Sequence, residues 1–284
     1  MSEPQATPAA SPSTGIARRW TYVVLILAVL FVVMPFLFWQ STWFGKPLSD
    51  DELAKAFADE QHPRKIQHAL SQITDRILRG DPSVSRWYPE VIRVSGHSVD
   101  EIRVTAAWVM GQDNKSPEFH EALRGLLDDA NPMVARNAAL SLVRFNDAGG
   151  RTLLAAMLRT YTVASPAAGT LAQRLKIGDM VNPGTMVARI RAGQEEIEVR
   201  TPVPGTVHEW QLGDGLAVEQ GTPLVAIAPS PEMVWEALRG LYLIGEPEDL
   251  AAVERYAAGV TGMPDSISQQ ARLTAEAIRK RAGA

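Results

Sequence analysis

Apolar residues recur every three or four positions along most of the chain after Ser49. This period is that of one face of an α-helix, so each such run predicts a helix that packs on one side. The clearest stripes are Ile66, Ala69, Leu70, Ile73 and Ile77; Ile102, Ala106 and Val109; Val134, Ala138 and Leu142; Val234, Leu238, Leu241 and Ile244; and Ile267, Ala271, Thr274 and Ile278. They predict amphipathic helices over residues 49–160 and again over residues 231–284.

Helix starts are marked by residues whose side chains accept hydrogen bonds from the first helical turn. Ser49 with Glu52, and Ser98 with Glu101, have the spacing of a capping box. Other polar residues each precede a proline, which suits the first helical position because its missing N–H has no partner there. These pairs are Asp81-Pro82, Ser116-Pro117, Asn131-Pro132 and Ser230-Pro231.

Part of the helical pattern is repeated. Residues 102–107 and 135–140 are similar and stand 33 positions apart, and a fixed period of this kind predicts a helical solenoid. Arg103 and Arg136 occur once per repeat, and we expect each to pair with acidic or carbonyl neighbours along the array. The chain here resembles HEAT repeats over about residues 50–160 and 231–282. The resemblance implies antiparallel helix pairs that present a protein-binding surface.

Between these helical regions, residues 162–229 form short valine-rich runs separated by glycine, a pattern typical of strands and tight turns. Residues 165–171 (SPAAGTL) match residues 201–207 (TPVPGTV) 36 positions later. Further matches follow at 37 positions, from Gly178, Val181, Gly184, Thr185 and Ile190 to Gly215, Val218, Gly221, Thr222 and Ile227. The duplication predicts a small inserted β domain with pseudo-twofold symmetry.

Each half of this duplication resembles the biotinyl/lipoyl domain family and the related β domain of membrane-fusion adaptors. In carrier members of the family, a lysine at the tip of the central hairpin holds the cofactor. Alignment on residues 201–202 places Gln194 at that position, between Gly193 and Glu195, and an amide is not an acceptor amine. Lys176 lies in the first half, away from this tip. The resemblance therefore implies a domain without a bound cofactor, and the short hairpin leaves no room for the adaptors' coiled coil.

An apolar run near the N-terminus, residues 22–39, contains 18 residues without a charge. As a helix this run would extend about 27 Å, close to the thickness of the hydrocarbon core. The run predicts a transmembrane helix over residues 20–44, in contact with the lipid bilayer, after a disordered tail over residues 1–19. A cleaved signal peptide is the alternative, although its apolar region is usually shorter.

Charged and aromatic residues flank this run in the manner of a membrane interface. Arg18, Arg19 and Trp20 precede it, and Trp39 and Trp43 follow. The arginine pair favours an N-terminus in the cytoplasm and a soluble body in the extracytoplasmic, periplasmic space. The sequence thus predicts a single-pass membrane protein.

Composition excludes several functions. The net charge is −4 and there is no dense run of basic residues, which argues against nucleic-acid binding. The chain has no cysteine, so thiolate chemistry and disulfides are excluded. Its five histidines show no spacing typical of a metal site, and no catalytic motif is present. We expect a protein that is not an enzyme and that holds neither a metal nor a cofactor.

Together these patterns predict a multidomain α and β protein: an N-terminal transmembrane helix, an α-solenoid of HEAT-like repeats and an inserted all-β barrel-sandwich domain. The predicted function is a non-catalytic scaffold or adaptor that binds protein partners in a membrane complex for transport, secretion or respiration. Candidate partner contacts are Gly193, Gln194, Glu195 and Trp235. The alternatives are a biotinyl or lipoyl carrier component of an enzyme complex and an efflux-type periplasmic adaptor.

Aromatic residues on or beside the helical stripes allow two interpretations. Trp108, Trp235 and Tyr242 either belong to the core of the solenoid or form exposed anchors for a partner.

Overall fold

The computed structural model describes residues 14–41 and 47–283, without the side chains of residues 14–19, 21 and 37–41. The chain divides after Leu53 into two units. The first unit contains helix α1 (Thr14–Ser41) and the start of α2 (Asp50–Ala58). The predicted capping box of α2 is present, because the Ser49 backbone N–H donates to the Glu52 carboxylate at 2.8 Å and Ser49 Oγ accepts from the Glu52 N–H.

The membrane prediction is wrong. Within the described residues, no helix has both the length and the hydropathy needed to cross a bilayer. The predicted single-pass topology and the predicted periplasmic location of the body are therefore wrong, and nothing in the described residues supports the predicted bilayer contact through residues 20–44.

Among the predicted membrane-interface residues, the structure describes the side chain of Trp20. Trp20 is exposed on α1. The backbones of Arg18, Arg19 and Trp39 belong to the same helix, while their side chains and the whole of Trp43 lie outside the described residues. Because α1 begins at Thr14, residues 14–19 of the predicted disordered tail are helical, and residues 1–13 lie outside the described residues.

In the second unit, consecutive helices form two layers. One layer contains α3 (Pro63–Leu78), α5 (Asp100–Met110), α7 (Pro132–Val143), α9 (Pro231–Ile244) and α11 (Asp265–Ala282), each packed on the next. The helices between them are α4 (Tyr88–Val94), α6 (Pro117–Gly125), α8 (Arg151–Met157) and α10 (Leu250–Ala257). Short 3-10 turns lie at Pro82–Trp87, Leu126–Asp128, Ala148–Gly150 and Pro247–Asp249.

The apolar stripes form the core of this array. Every stripe residue is buried except Ile77, which is partly buried. Hydroxyl groups also tie the layer together: Ser141 Oγ of α7 donates to the carbonyl of Ala107 in α5 at 2.8 Å, and Thr274 Oγ1 of α11 donates to the carbonyl of Leu238 in α9 at 2.9 Å. The helices are therefore joined along the array as a solenoid requires.

Most predicted helix caps are present. Asp81, Ser116, Asn131 and Ser230 each accept a backbone N–H of the following turn with their side chains. The predicted capping box at Ser98 and Glu101 is wrong, because α5 begins at Asp100 and its N-cap residue is Val99.

The β region interrupts the array between α8 and α9. Its strands are β1 (Tyr161–Ala164), β2 (Gly169–Gln173), β3 (Met180–Val181), β4 (Met186–Ala192), β5 (Glu195–Arg200), β6 (Gly205–Trp210), β7 (Ala217–Val218) and β8 (Pro223–Pro229). They form two antiparallel sheets in the orders β1-β8-β6-β3 and β5-β4-β2-β7, around a core rich in valine. We call residues 161–229 the β module.

The array continues across this insertion. The first and last strands pair, with Tyr161 opposite Ile227, so both ends of the β module leave at the same place. Leu154 of α8 and Val234 of α9 share one apolar core with helices α10 and α11. The Tyr256 hydroxyl of α10 also donates to the carbonyl of Leu158 at 3.0 Å. The helices after residue 230 thus complete the array begun before the insertion.

Candidate functional site

The hairpin between β4 and β5 forms one candidate site. Ala192 lies opposite Glu195, so Gly193 and Gln194 alone make the turn. Gly193 has a φ of 66°, and Gln194 is not among the residues with positive φ; this combination is that of a type II′ turn with glycine first. Gly193, Gln194 and Glu195 are all exposed. The structure therefore places the predicted glutamine at a hairpin tip, where its amide is open to solvent.

Charged side chains surround the base of this tip. Glu196 forms ion pairs with Arg189 at 2.8 Å and with Arg191 at 3.2 Å. The hydrogen bond from Arg191, assisted by the one from Arg189, lowers the pKa of the Glu196 carboxyl. Since β5 is an edge strand, these charges also protect it from pairing with another chain.

Lys176 is the lysine of the β module, and it lies elsewhere. It belongs to the turn before β3, where the Asp179 carboxylate accepts its backbone N–H at 2.8 Å. Its side chain is exposed on a turn outside the β4–β5 hairpin. The structure therefore does not bring an amine to the tip where the family resemblance expects one.

The second candidate is a groove on the layer of α5, α7, α9 and α11, with a volume of about 720 Å³. Trp108, Tyr242, Leu243 and Leu273 line it with exposed apolar surface, and the last two side chains are 55% and 53% exposed. We call this lined cavity the helical groove. A smaller depression of about 540 Å³ adjoins it, shares Tyr242, Leu243 and Leu273, and is closed by residues of α11.

Polar side chains in the helical groove are mostly engaged with their own helices. The Gln112 amide donates to the carbonyl of Trp108 at 2.9 Å, and its oxygen accepts from Arg144. The Asn137 amide donates to the carbonyl of Met133 at 2.8 Å, and the Gln270 amide donates to the hydroxyl of Thr274 at 3.3 Å. These contacts hold the polar walls of the groove in place.

Glu236 and Arg239 are the exceptions among the groove's polar residues. Both line the groove from α9, and neither side chain forms a hydrogen bond with a residue that the structure describes. Desolvation in the groove raises the pKa of the Glu236 carboxyl; Glu232 raises it further, and the nearby Arg239 opposes the shift. Glu236 is nevertheless an exposed residue, so its carboxylate remains open to water.

The aromatic residues named from the sequence are exposed. Trp108 and Tyr242 line the helical groove, so their interpretation as core residues is wrong. Trp235 is 36% exposed and lies one turn before Arg239 on the exposed stripe of α9, beside the groove lining. Glu236, Leu243 and Leu273 were not predicted. Their signal was weak, because each directly neighbours a buried stripe in the sequence.

The two repeated arginines behave differently. Arg103 makes two bonds of 2.8 Å to the Asp129 carboxylate and a further bond to the carbonyl of His97, as expected. Arg136 is only 6% exposed, yet it has no carboxylate partner among the described residues. It lies 5.8 Å from the ring of Tyr161 in β1 and 3.5 Å from the Met233 sulfur in α9. The predicted arginine pairing therefore stops where the β module begins.

No group of three potential metal-ligating side chains occurs in the described ranges 14–41 and 47–283. One cluster of polar side chains away from the candidate sites joins His120, Arg124 and Asp147, with His120 Nε2 at 2.6 Å from the Asp147 carboxylate. Asp147 also accepts the Gly149 N–H, so this cluster fixes the turn before α8.

Comparison with protein families confirms both resemblances. Residues 91–172 match the family of HEAT repeats, and residues 161–227 match the family described as "Biotin-requiring enzyme". The two matches overlap over residues 161–172, where the structure has β1 and β2 and no helix. No curated protein matches the chain. HEAT repeats generally bind other proteins, and the second match shows that the β module is similar to a domain of biotin-requiring enzymes.

Proposed function

We propose that this protein is a non-catalytic scaffold that binds a partner protein in its helical groove. The observation that carries the proposal is the exposed apolar lining of Trp108, Tyr242, Leu243 and Leu273, contributed by helices α5, α9 and α11 of the layer. Contiguous exposed apolar surface with a polar margin is typical of protein interfaces. Tryptophan and tyrosine in such a place are also common centres of binding energy.

The β module would serve this scaffold as a second contact. Its hairpin tip, residues 193–195, is exposed at the end of the paired strands β4 and β5. Gln194 offers an amide that both donates and accepts hydrogen bonds. The short turn has no coiled coil, which argues against an efflux-type adaptor.

Purification of the tagged full chain from its own cells tests the proposal. The wild type should yield a partner in stoichiometric amount, and Leu243→Asp should lose it because a charge enters the apolar groove. Leu78→Asp is the matched control, since Leu78 is 66% exposed and lies outside the groove lining. Equal recovery of the partner by both variants, or a wild type that is always alone, would contradict the proposal.

A carrier function is the second candidate, and the family match over residues 161–227 favours it. Gln194 at the tip argues against it, because a glutamine cannot form the amide link to biotin or lipoate. Lys176 would be the remaining amine in the β module. Intact mass spectrometry of the chain from its own cells distinguishes the two functions. We expect the unmodified mass, whereas a biotinyl or lipoyl increment that disappears in Lys176→Arg would establish the carrier.

A further inference from the structure

Cationic side chains adjoin the apolar centre of the helical groove. The groove and the smaller depression beside it share three apolar residues, Tyr242, Leu243 and Leu273. Two cations line the groove and two line the depression, and all four are exposed: Arg144, Arg239, Lys280 and Arg281. We call these four residues the cationic rim. One apolar centre is thus bordered by positive charge in both depressions.

Two carboxylates, Glu236 and Glu276, also line these depressions. Each is followed on its own helix by a cation one turn later, Arg239 or Lys280, a spacing at which opposite charges attract. Neither pair closes to an ion pair within the part of the chain that the structure describes. The carboxylates offset two of the four positive charges, so the two depressions together keep a positive net charge in a chain whose net charge is −4.

The cationic rim has no carboxylate partner among the described residues. Arg144 donates to the neutral amide oxygen of Gln112 at 2.9 Å, which positions its guanidinium without neutralising it. Arg281 donates to three carbonyls at the end of α9, and the helix dipole there balances part of its charge. Arg239 and Lys280 donate no hydrogen bond to a described residue. These last two cations are therefore the most available to a bound molecule.

An apolar centre with a cationic rim complements a segment that carries both apolar side chains and carboxylates. Opposite charges across an interface favour the correct partner, whereas a basic segment would meet like charges at Arg239 and Lys280. A guanidinium can also hold a carboxylate through two parallel hydrogen bonds. Anionic lipid headgroups have the same sign of charge, but the groove is a concave cavity of about 720 Å³. The protruding side chains of a protein segment fill such a cavity, and a bilayer surface does not.

From this arrangement we propose that the helical groove binds an acidic segment of a partner protein, with carboxylates of that segment bonded to Arg239 and Lys280. This inference rests on the proposed function and deepens it by naming the chemistry of the occupant. Leu243 and Leu273 contact the apolar side chains of the segment, and Arg144 adds a third cation on the side of α7.

Site-specific photo-cross-linking identifies the occupant. A benzophenone amino acid replaces Leu273, which lines both depressions, in the full chain. The cells are irradiated, and the cross-linked segment is sequenced by mass spectrometry. We expect a protein segment that contains apolar residues and has a negative net charge. A segment without a negative net charge, or a cross-link to lipid alone, would overturn the inference.

Charge reversal in the same cross-linking background tests the role of the cationic rim. Arg239→Glu combined with Lys280→Glu should reduce the cross-linked yield about ten-fold, because the occupant's carboxylates then meet like charges. Arg79→Glu combined with Arg174→Glu is the matched control. It changes the net charge of the chain equally, at exposed positions outside both depressions, and should leave the yield unchanged. An equal loss in the control would show a general effect of net charge and overturn the inference.

Removal of the two carboxylates tests the sign of the occupant's charge independently. Glu236→Gln combined with Glu276→Gln should leave the yield equal or higher, because it removes charges that repel an acidic segment. A lower yield in this variant would show that the groove selects a basic segment. Circular dichroism of all the charge variants should match the wild type, since every substituted position is exposed.

The outcomes separate this inference from the proposed function. Partner loss in Leu243→Asp together with an unchanged yield in the Arg239→Glu and Lys280→Glu variant would refute the acidic segment and leave the groove as the binding site. No cross-link from the groove at all would contradict both statements.

Discussion

At the scale of single residues, Arg103 and Arg136 occupy equivalent positions of the repeat but lie in different environments. They stand 33 positions apart in equivalent places of the repeat. Arg103 reaches Asp129 in the loop before the next helix pair, whereas the equivalent loop after Arg136 is replaced by the start of the β module. A tyrosine ring and a methionine sulfur stand where the repeat would supply a carboxylate.

We therefore expect different changes in the free energy of unfolding when each arginine is replaced by methionine. Arg103→Met leaves the Asp129 carboxylate without its cation and should lower the free energy of unfolding by about 3 kcal/mol. Arg136→Met replaces a buried guanidinium that has no carboxylate partner and should change it by less than about 1 kcal/mol. Urea unfolding followed by circular dichroism measures both values. An equal loss in the two variants would show that Arg136 has an ionic partner after all.

The same ion pair predicts a dependence of stability on pH. The hydrogen bond from Arg103 lowers the pKa of the Asp129 carboxyl, burial opposes the shift, and the Asn131 N–H lowers the pKa further. The folded pKa is thus below the unfolded value of about 3.9. The contribution of the Arg103–Asp129 ion pair to stability is complete above the unfolded pKa, and it is lost as the pH falls through the folded pKa.

Asp129→Asn should accordingly be less stable than the wild type at pH 7, by about 2 kcal/mol. The difference should shrink as the pH falls below about 4, where the wild-type carboxylate becomes protonated. Asp128→Asn is the matched control, because the neighbouring Asp128 is exposed, and its stability should follow the wild type at every pH. Urea unfolding between pH 3 and pH 7 is the measurement, and a constant difference over this range would refute the assignment.

At the scale of elements, each half of the β module has a glycine where two strands approach closely. Gly169 and Gly205 occupy equivalent places, and each lies against the backbone of a neighbouring strand. A Cβ at Gly169 would lie 2.5 Å from the carbonyl oxygen of Arg191, and one at Gly205 would collide with the carbonyl oxygen of Ala228. The repeated glycine is therefore required by close packing of the strands.

Gly169→Ala and Gly205→Ala should each destabilise the β module by about 3 kcal/mol or more, since backbone atoms must move to admit the methyl group. Gly213→Ala should be tolerated, because the nearest atom to its Cβ is a leucine methyl at 3.7 Å. Thermal unfolding of the three variants tests this. Similar melting temperatures for all of them would contradict the account of the strand packing.

The helix starts show what a local pattern can predict. Ser230 and Asn131 were predicted as caps from polar residue and proline, and both accept hydrogen bonds from the next turn. Ser98 has an equally good spacing to Glu101, but the helix starts two residues later, at Asp100. Both of these confirmed caps precede a proline, which fixes the backbone at the first helical position, and Ser98 does not. Ser49 and Glu52 form their capping box without a proline, so the serine–glutamate spacing alone does not decide where a helix starts.

At the scale of the whole molecule, periodicity predicted the helical array and duplication predicted the β module, because both patterns recur through many residues. The helical groove was not predicted. An apolar stripe in the sequence marks the residues that face the core, and it does not distinguish a solvent-exposed helix face from one that lines a groove between helices. The sequence pattern therefore places Leu243, next to Ile244, and Leu273, next to Thr274, at the edge of the core and not in a groove.

The insertion itself predicts that the helical array does not need the β module. Both ends of the module leave from paired strands, and α8 packs directly against α9. Replacing residues 161–229 by a short glycine-rich linker should leave helical circular dichroism and one cooperative unfolding transition. The unfolding midpoint in urea should change little. A chain that becomes molten after this replacement would show that the array depends on the module for folding.

The central claim is that the helical groove is covered by a partner, and hydroxyl-radical footprinting of the complex purified from cells tests it most directly. Trp108 and Tyr242 are exposed in the groove. Met180 of the β module is 85% exposed and does not line the groove, so it serves as the control. Binding should reduce the oxidation of Trp108 and Tyr242 relative to the chain alone and leave Met180 unchanged. Unchanged oxidation of Trp108 and Tyr242 in a stoichiometric complex would contradict the claim.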